Sequence, residues 1–218
     1  MANLWMQIHT YFAQNTAEYF AYLVQHIGIT LLSFAIACLI AIPLGYACVC
    51  SKPINRCITA VFQVLRIIPS LAILVLLIPV MGTGVPPAMT ALTLLAIPPI
   101  LMNTSAGFSN VAPFMLETSS ALGMTKRQMF WQVKVPLALP QILTGMKTAV
   151  IELIASATLA AKIGAGGLGS LILTGIGLFR TDLLVIGGVS VAVLAILSGF
   201  IFQLIGRIAM PYQYQNKS

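Results

Sequence analysis

Five apolar stretches, about Val24–Val49, Ile58–Met81, Ala88–Phe108, Ile142–Ile163 and Leu183–Ile205, limit what this chain can fold into. Each reaches the ~20 residues that a helix needs to cross the ~30 Å hydrocarbon core of a bilayer. Inside lipid every backbone N–H and C=O needs a partner within the protein, and a helix supplies one locally. The expected fold is therefore an all-α integral membrane protein of about five transmembrane helices, one domain over residues 1–218. Composition agrees: 59% of residues are hydrophobic and 7% charged, against ~25% charged in soluble domains.

Prolines punctuate the spans. Pro43 with Gly45 is expected to kink the first, and Pro98-Pro99 to break the third. The second carries Arg66, Pro69 and Ser70. Residues 1–22 hold Trp5, Tyr11, Phe12, Tyr19, Phe20 and Tyr22 and suit an arm at the membrane interface, where aromatic belts lie. With no basic residue before Glu18, this region does not read as a cleavable signal peptide.

Basic residues orient the chain. Lys52, Arg56, Lys126, Arg127, Lys134, Arg207 and Lys217 fall on one set of connections and tail, with Arg180, and Lys162 near the edge, on the other. The expectation is an N-terminus outside, with the 110–140 loop and the 206–218 tail in the cytoplasm. The net charge of +7 follows from this bias. No dense Lys/Arg block exists to track phosphates, which argues against nucleic acid.

The connection from Asn110 to Pro140 holds three of the eleven basic residues and one of the four acidic ones. Pro113 suits a first helical turn, with Asn110 or Ser109 as its cap. Gly123 suits the left-handed position that ends that helix. Thr125 with Gln128 three residues on forms a capping box for a second helix, predicted to stop before Pro136. Two short helices hinged near Gly123 expose apolar residues that need a covering partner.

The run Glu117-Thr118-Ser119-Ser120-Ala121-Leu122-Gly123, followed by Val133-Lys134-Val135-Pro136, resembles the EAA loop of ABC importer permeases. It keeps Glu117, Ala121, Leu122, Gly123 and Pro136, and departs at Thr118 and Ser119, where alanines are usual. Ile68-Pro69-Ser70-Leu71-Ala72, Pro99-Ile100-Leu101 with Asn103-Thr104, and Ala157-Thr158-Leu159-Ala160 before Ile163-Gly164-Ala165-Gly166-Gly167-Leu168-Gly169 are similar to the osmoprotectant permeases of that family. Met102 stands where those often have arginine. Methionine-importer permeases are similar in size and span count.

The resemblance implies a bacterial inner-membrane subunit, paired with itself or a homologue. It implies a cytoplasmic ATPase dimer acting on Glu117, Ala121, Leu122, Gly123, Thr125 and Pro136, and an outside binding protein that delivers glycine betaine, carnitine or choline. ATP and Mg²⁺ belong to the ATPase, since this chain has no Walker A sequence, and no cofactor or metal is expected in it. The alternatives are a methionine-type permease and a self-contained channel or secondary carrier. An odd span count argues against a simple inverted-repeat carrier, and no residue constellation suggests an enzyme.

Within the spans, Ser70, Asn103 and Glu152 are candidates to line a translocation path. Arg66 and Glu152 also form a possible intramembrane ion pair, although Arg66 can instead snorkel to the interface. Gly164, Gly166, Gly167 and Gly169 fit G-x-G-x-x-G but follow a membrane span, so they read as a flexible outer loop and not as a dinucleotide site. Cys38, Cys48, Cys50 and Cys57, with His9 and His26, show no metal-ligand spacing.

Overall fold

The computed structural model describes residues 2–210 and is helical almost throughout. Helix α1 runs Ala2–Cys50, α2 Lys52–Ile67, α3 Ser70–Leu76, α4 Ile78–Met81 and α5 Val85–Ser109. Then follow α6 Pro113–Ala121, α7 Lys126–Met129, a π-helical segment Phe130–Lys134 and α8 Val135–Ala160. A 3₁₀ turn Ala161–Ile163, α9 Leu168–Gly177 and α10 Thr181–Ala209 complete the order.

Helices α1, α5 and α8 form the core, and small residues let them approach. A methyl group added at Gly45 would lie 2.7 Å from Thr104 Cβ, and one at Gly145 2.6 Å from Asn103 Cβ. This is how membrane helices associate when lipid is as apolar as their own side chains. The Gly84 N–H donates to the Ile163 carbonyl at 2.6 Å, joining the start of α5 to the end of α8. These two helices are therefore antiparallel, and the 110–140 connection lies at the opposite end from the glycine-rich loop. Outward-facing Val193, Leu197, Phe200 and Leu204 give α10 an apolar outer surface.

Among the described residues four helices are long and apolar enough to cross a membrane, and a fifth crossing exists if the bent pair around Pro69 counts as one. The expected second span, about Ile58–Met81, is thus not one continuous helix. Residues 55–67 and 70–81 meet at 97°, because Ile68 is extended (φ −71°, ψ 125°) before Pro69, as proline demands of its predecessor. The third span is the reverse case: α5 passes unbroken through Pro98-Pro99, both buried.

The N-terminal arm is continuous with the first span. Helix α1 is nonetheless two helical pieces joined at a kink. Its backbone leaves helical geometry at Asn15 (φ −124°, ψ 24°) and not at Pro43. There Asn15 donates to the Tyr11 carbonyl and Thr16 to that of Phe12, side-chain bonds that compete with the helical ladder. The arm packs on α9 and α10 through Tyr11, Leu168, Leu171, Leu183 and Ile186, and Tyr19 bonds Ser190 at 2.8 Å. Residues 211–218 of the expected tail lie outside the described residues, and Arg207 belongs to the last turn of α10.

The glycine-rich loop is a built bracket, which corrects its reading as flexible. Gln25 of α1 clamps it: the side-chain amide donates to the Ala165 carbonyl (3.0 Å) and accepts from the Gly167 N–H (2.9 Å). Ala165, Gly167, Leu168 and Gly169 are buried. The loop needs glycine because Gly166 and Gly167 have φ of 78° and 73°, a region costly for any residue with a Cβ.

Candidate coupling surface and translocation path

The 110–140 connection is organised by backbone capping. Pro113 opens α6, but its N-cap is Ala112, and no side chain caps it; Asn110 instead ends α5. At the other end Gly123 (φ 76°) donates to the Ser120 carbonyl (3.0 Å) and Met124 to that of Ser119 (3.1 Å). That pair of bonds is the Schellman motif. The capping box is formed in full: Thr125 Oγ1 accepts from the Gln128 N–H, and Gln128 Oε1 from the Thr125 N–H.

The second helix does not stop before Pro136. Helix α7 continues through the π segment into α8, with Pro136 in the first turn of α8. A proline has no N–H to return to the preceding turn. Here the wider turn absorbs it, and the Val135 N–H reaches back five residues to the Phe130 carbonyl. The loop's second half and the fourth span are thus one helical body, Lys126–Ile163.

Three aromatic rings seat this body, and sequence reading missed them. Phe130 stacks on Phe108 of α5 (centroids 6.0 Å apart, 10° between planes) and meets Tyr46 of α1 edge-on at 5.0 Å. Tyr46 and Phe108 are themselves 5.0 Å apart. Tyr46 and Phe108 sit in different apolar stretches and Phe130 in the 110–140 connection, so only folding makes them a cluster.

The loop presents large apolar side chains outward among its polar ones. Phe114 is 71% exposed, Leu122 74% and Trp131 61%, with Glu117, Ala121 and Thr125 exposed among them. Ser119 is buried and bonds the Met115 carbonyl. Exposed large apolar side chains such as Phe114, Leu122 and Trp131 are candidates for an interaction surface.

Along α8 a second, polar surface appears. Gln141, Thr144, Thr148 and Glu152 recur at helical spacing on one side, all exposed or half-buried. Gln141 donates to Asn103 Oδ1 (3.1 Å), so α5 contributes to the same strip. Ser70, half-buried, opens α3 beside the bend. The expected Arg66–Glu152 ion pair is not made. Arg66 is close enough for its charge to act on Glu152, but both are exposed and no contact falls within 4 Å among the described residues.

Among the described residues an ion pair does form between Arg180 and Asp182, 2.5 Å. Asp182 is 1% exposed and sits in the first turn of α10, where a carboxylate favours the helix dipole. Arg180→Gln is expected to lower the thermal unfolding temperature by leaving this charge buried and uncompensated. The double variant Arg180→Gln/Asp182→Asn recovers most of the loss in the same melt. Among the described residues no three His, Cys, Asp or Glu side chains converge as a metal site.

Residues 37–211 match the binding-protein-dependent transport system inner membrane component family. The chain belongs to this family. It is 35% identical to the glycine betaine/carnitine/choline transport system permease protein OpuCB of Bacillus subtilis (strain 168), over 96% of this chain and 97% of that protein. It is 36% identical to the carnitine transport permease protein OpuCB of Listeria monocytogenes, over 88% of each. Among solved structures an inward-facing form of the MetNI methionine ABC transporter has the same fold, with a TM-score of 0.78 and 24% identity over 88% of this chain and 95% of that one. The chain is thus a multi-pass inner-membrane permease subunit, a transport component and not a catalyst.

Proposed function

We propose that this permease carries a quaternary-ammonium compatible solute, glycine betaine, carnitine or choline, into the cell at the expense of ATP hydrolysed on a separate subunit. The cargo follows from the names of relatives that match nearly the whole chain. A cytoplasmic ATPase dimer docks on the exposed patch around Phe114, Glu117, Leu122 and Trp131, and its closure on ATP–Mg²⁺ moves the helical body Lys126–Ile163. A second permease, this chain or a homologue, completes the path, and an outside binding protein delivers the solute. The methionine alternative has the shared fold in its favour, which does not specify a cargo.

The observation that carries the mechanism is the continuity of α7 into α8, whose polar strip would line the path. Glu152 offers a negative charge to a quaternary ammonium there. Reconstitution with the ATPase and binding protein tests this: solute uptake should need both partners and ATP. Uptake by this chain alone would mean a self-contained carrier. Glu152→Gln should lower cation uptake several-fold without loss of ATPase binding; unchanged uptake would remove Glu152 from the path.

A further inference from the structure

Lys147 belongs to none of the surfaces described above. It lies near the middle of α8, about 10 Å along the helix from Pro140, and has no ion-pair partner or hydrogen bond among the described residues. Its stem crosses to α10, with Cε 3.6 Å from where a Cβ at Gly199 would stand. A buried or membrane-embedded ammonium without a counter-charge is costly.

Two adjoining cavities between α8 and α10 meet at this side chain. The one toward the 110–140 end, about 260 Å³, is lined by Pro140, Thr144, Lys147, Gln203 and Gly206. The other, about 380 Å³, is lined by Lys147, Gln203, Ile151, Ile196 and Phe200. Gln203 bonds nothing else among the described residues. The groove therefore grades from polar near the helix ends to apolar toward their middle. A lipid has that same order, with headgroup at the surface and acyl chain within. Helical side chains lean toward the helix N-terminus, which for α8 is the 110–140 end, so the Lys147 ammonium leans toward the headgroup level.

We propose that the groove between α8 and α10 binds an anionic phospholipid of the cytoplasmic leaflet, with its phosphate on Lys147 and Gln203 and one acyl chain against Ile151, Ile196 and Phe200. A basic pocket between transmembrane helices on the cytoplasmic side is where anionic headgroups bind. A second copy of the chain is the weaker occupant. It has only four acidic residues to offer, and Asp182 is already paired with Arg180. The choice of leaflet rests on the orientation proposed above, but binding in detergent does not, so its failure leaves the transport reading standing.

Native mass spectrometry of the purified, delipidated full chain tests this, titrated with phosphatidylglycerol and with phosphatidylcholine of the same acyl chains. The wild type should retain phosphatidylglycerol about fivefold better, the worth of one basic residue near the headgroups. Lys147→Gln should abolish that preference, Lys147→Arg should keep it, and Arg207→Gln at the end of α10 should leave it unchanged. The proposal is overturned if Lys147→Gln keeps the preference or if Arg207→Gln erases it equally. It is also overturned if Phe200→Cys forms disulfide-linked dimers in lipid, which would seat a second copy in the groove.

Discussion

Gly169→Ala is expected to destabilise the folded chain more than Gly28→Ala or Gly123→Val. A Cβ at this position would stand 2.1 Å from the Thr158 carbonyl oxygen and 2.8 Å from Thr158 Cα. Both are backbone atoms of α8, so no rotamer change can relieve the overlap. Overpacking in a filled core costs ~1–3 kcal/mol, and a rigid obstacle puts this case at the upper end. For a chain of this size that corresponds to a fall of ~6–12 °C in unfolding temperature, with lower yield of inserted protein. Gly28→Ala is the control, because nothing lies within 4 Å of its Cβ position; its melt should match or exceed the wild type. If Gly169→Ala melts like Gly28→Ala, the close packing of α9 on α8 is wrong.

The second large effect concerns the exposed patch. Leu122→Glu should weaken association with the ATPase by ~30-fold or more, the scale of a central apolar contact at an interface, about 2 kcal/mol. The side chain is 74% exposed, so insertion and melting of the permease alone should not change. Gly123→Val probes the neighbouring turn by a different route. Space around Gly123 is open, but its φ is 76°, so a β-branched residue strains the Schellman turn by ~1–2 kcal/mol. ATPase should still bind this variant weakly while hydrolysis and uptake become uncoupled. The lever reading fails if Gly123→Val transports like the wild type, and the docking reading fails if Leu122→Glu co-purifies its ATPase at the wild-type level.

Part of the local chemistry was legible in adjacent residues, although Ala112 and not Asn110 or Ser109 precedes α6. Thr125 with Gln128, Gly123 and Pro113 occupy the places their side chains or φ preferences demand. Prolines were the poorest guide. Pro69 makes a 97° bend, Pro98-Pro99 leave the helix unbroken, and Pro136 is absorbed by a π turn. The difference lies in what surrounds each carbonyl that loses its donor, which is a tertiary fact. Residues far apart in sequence were also hidden. The clamp of Gln25 on the glycine-rich loop spans 140 residues, and the Tyr46–Phe108–Phe130 cluster joins three elements. Arg66 and Glu152 lie on different helices, and although Arg66 is near enough for its charge to reach Glu152, no contact falls within 4 Å among the described residues.

The π turn at Phe130–Lys134 has a further consequence, one of rotational phase. Each residue of an α-helix advances the chain by about 100°, so the extra residue accommodated in that turn sets which side of α8 faces the strip of Gln141, Thr144, Thr148 and Glu152. Removing one residue from this segment would keep the loop and the span individually intact. It would turn the strip by roughly a quarter of a revolution relative to the surface that receives force. Such a deletion should still insert and still bind ATPase, yet move no solute. Between Trp131 and Gln141, residue number is then a mechanical setting, and substitutions there should be better tolerated than single insertions or deletions.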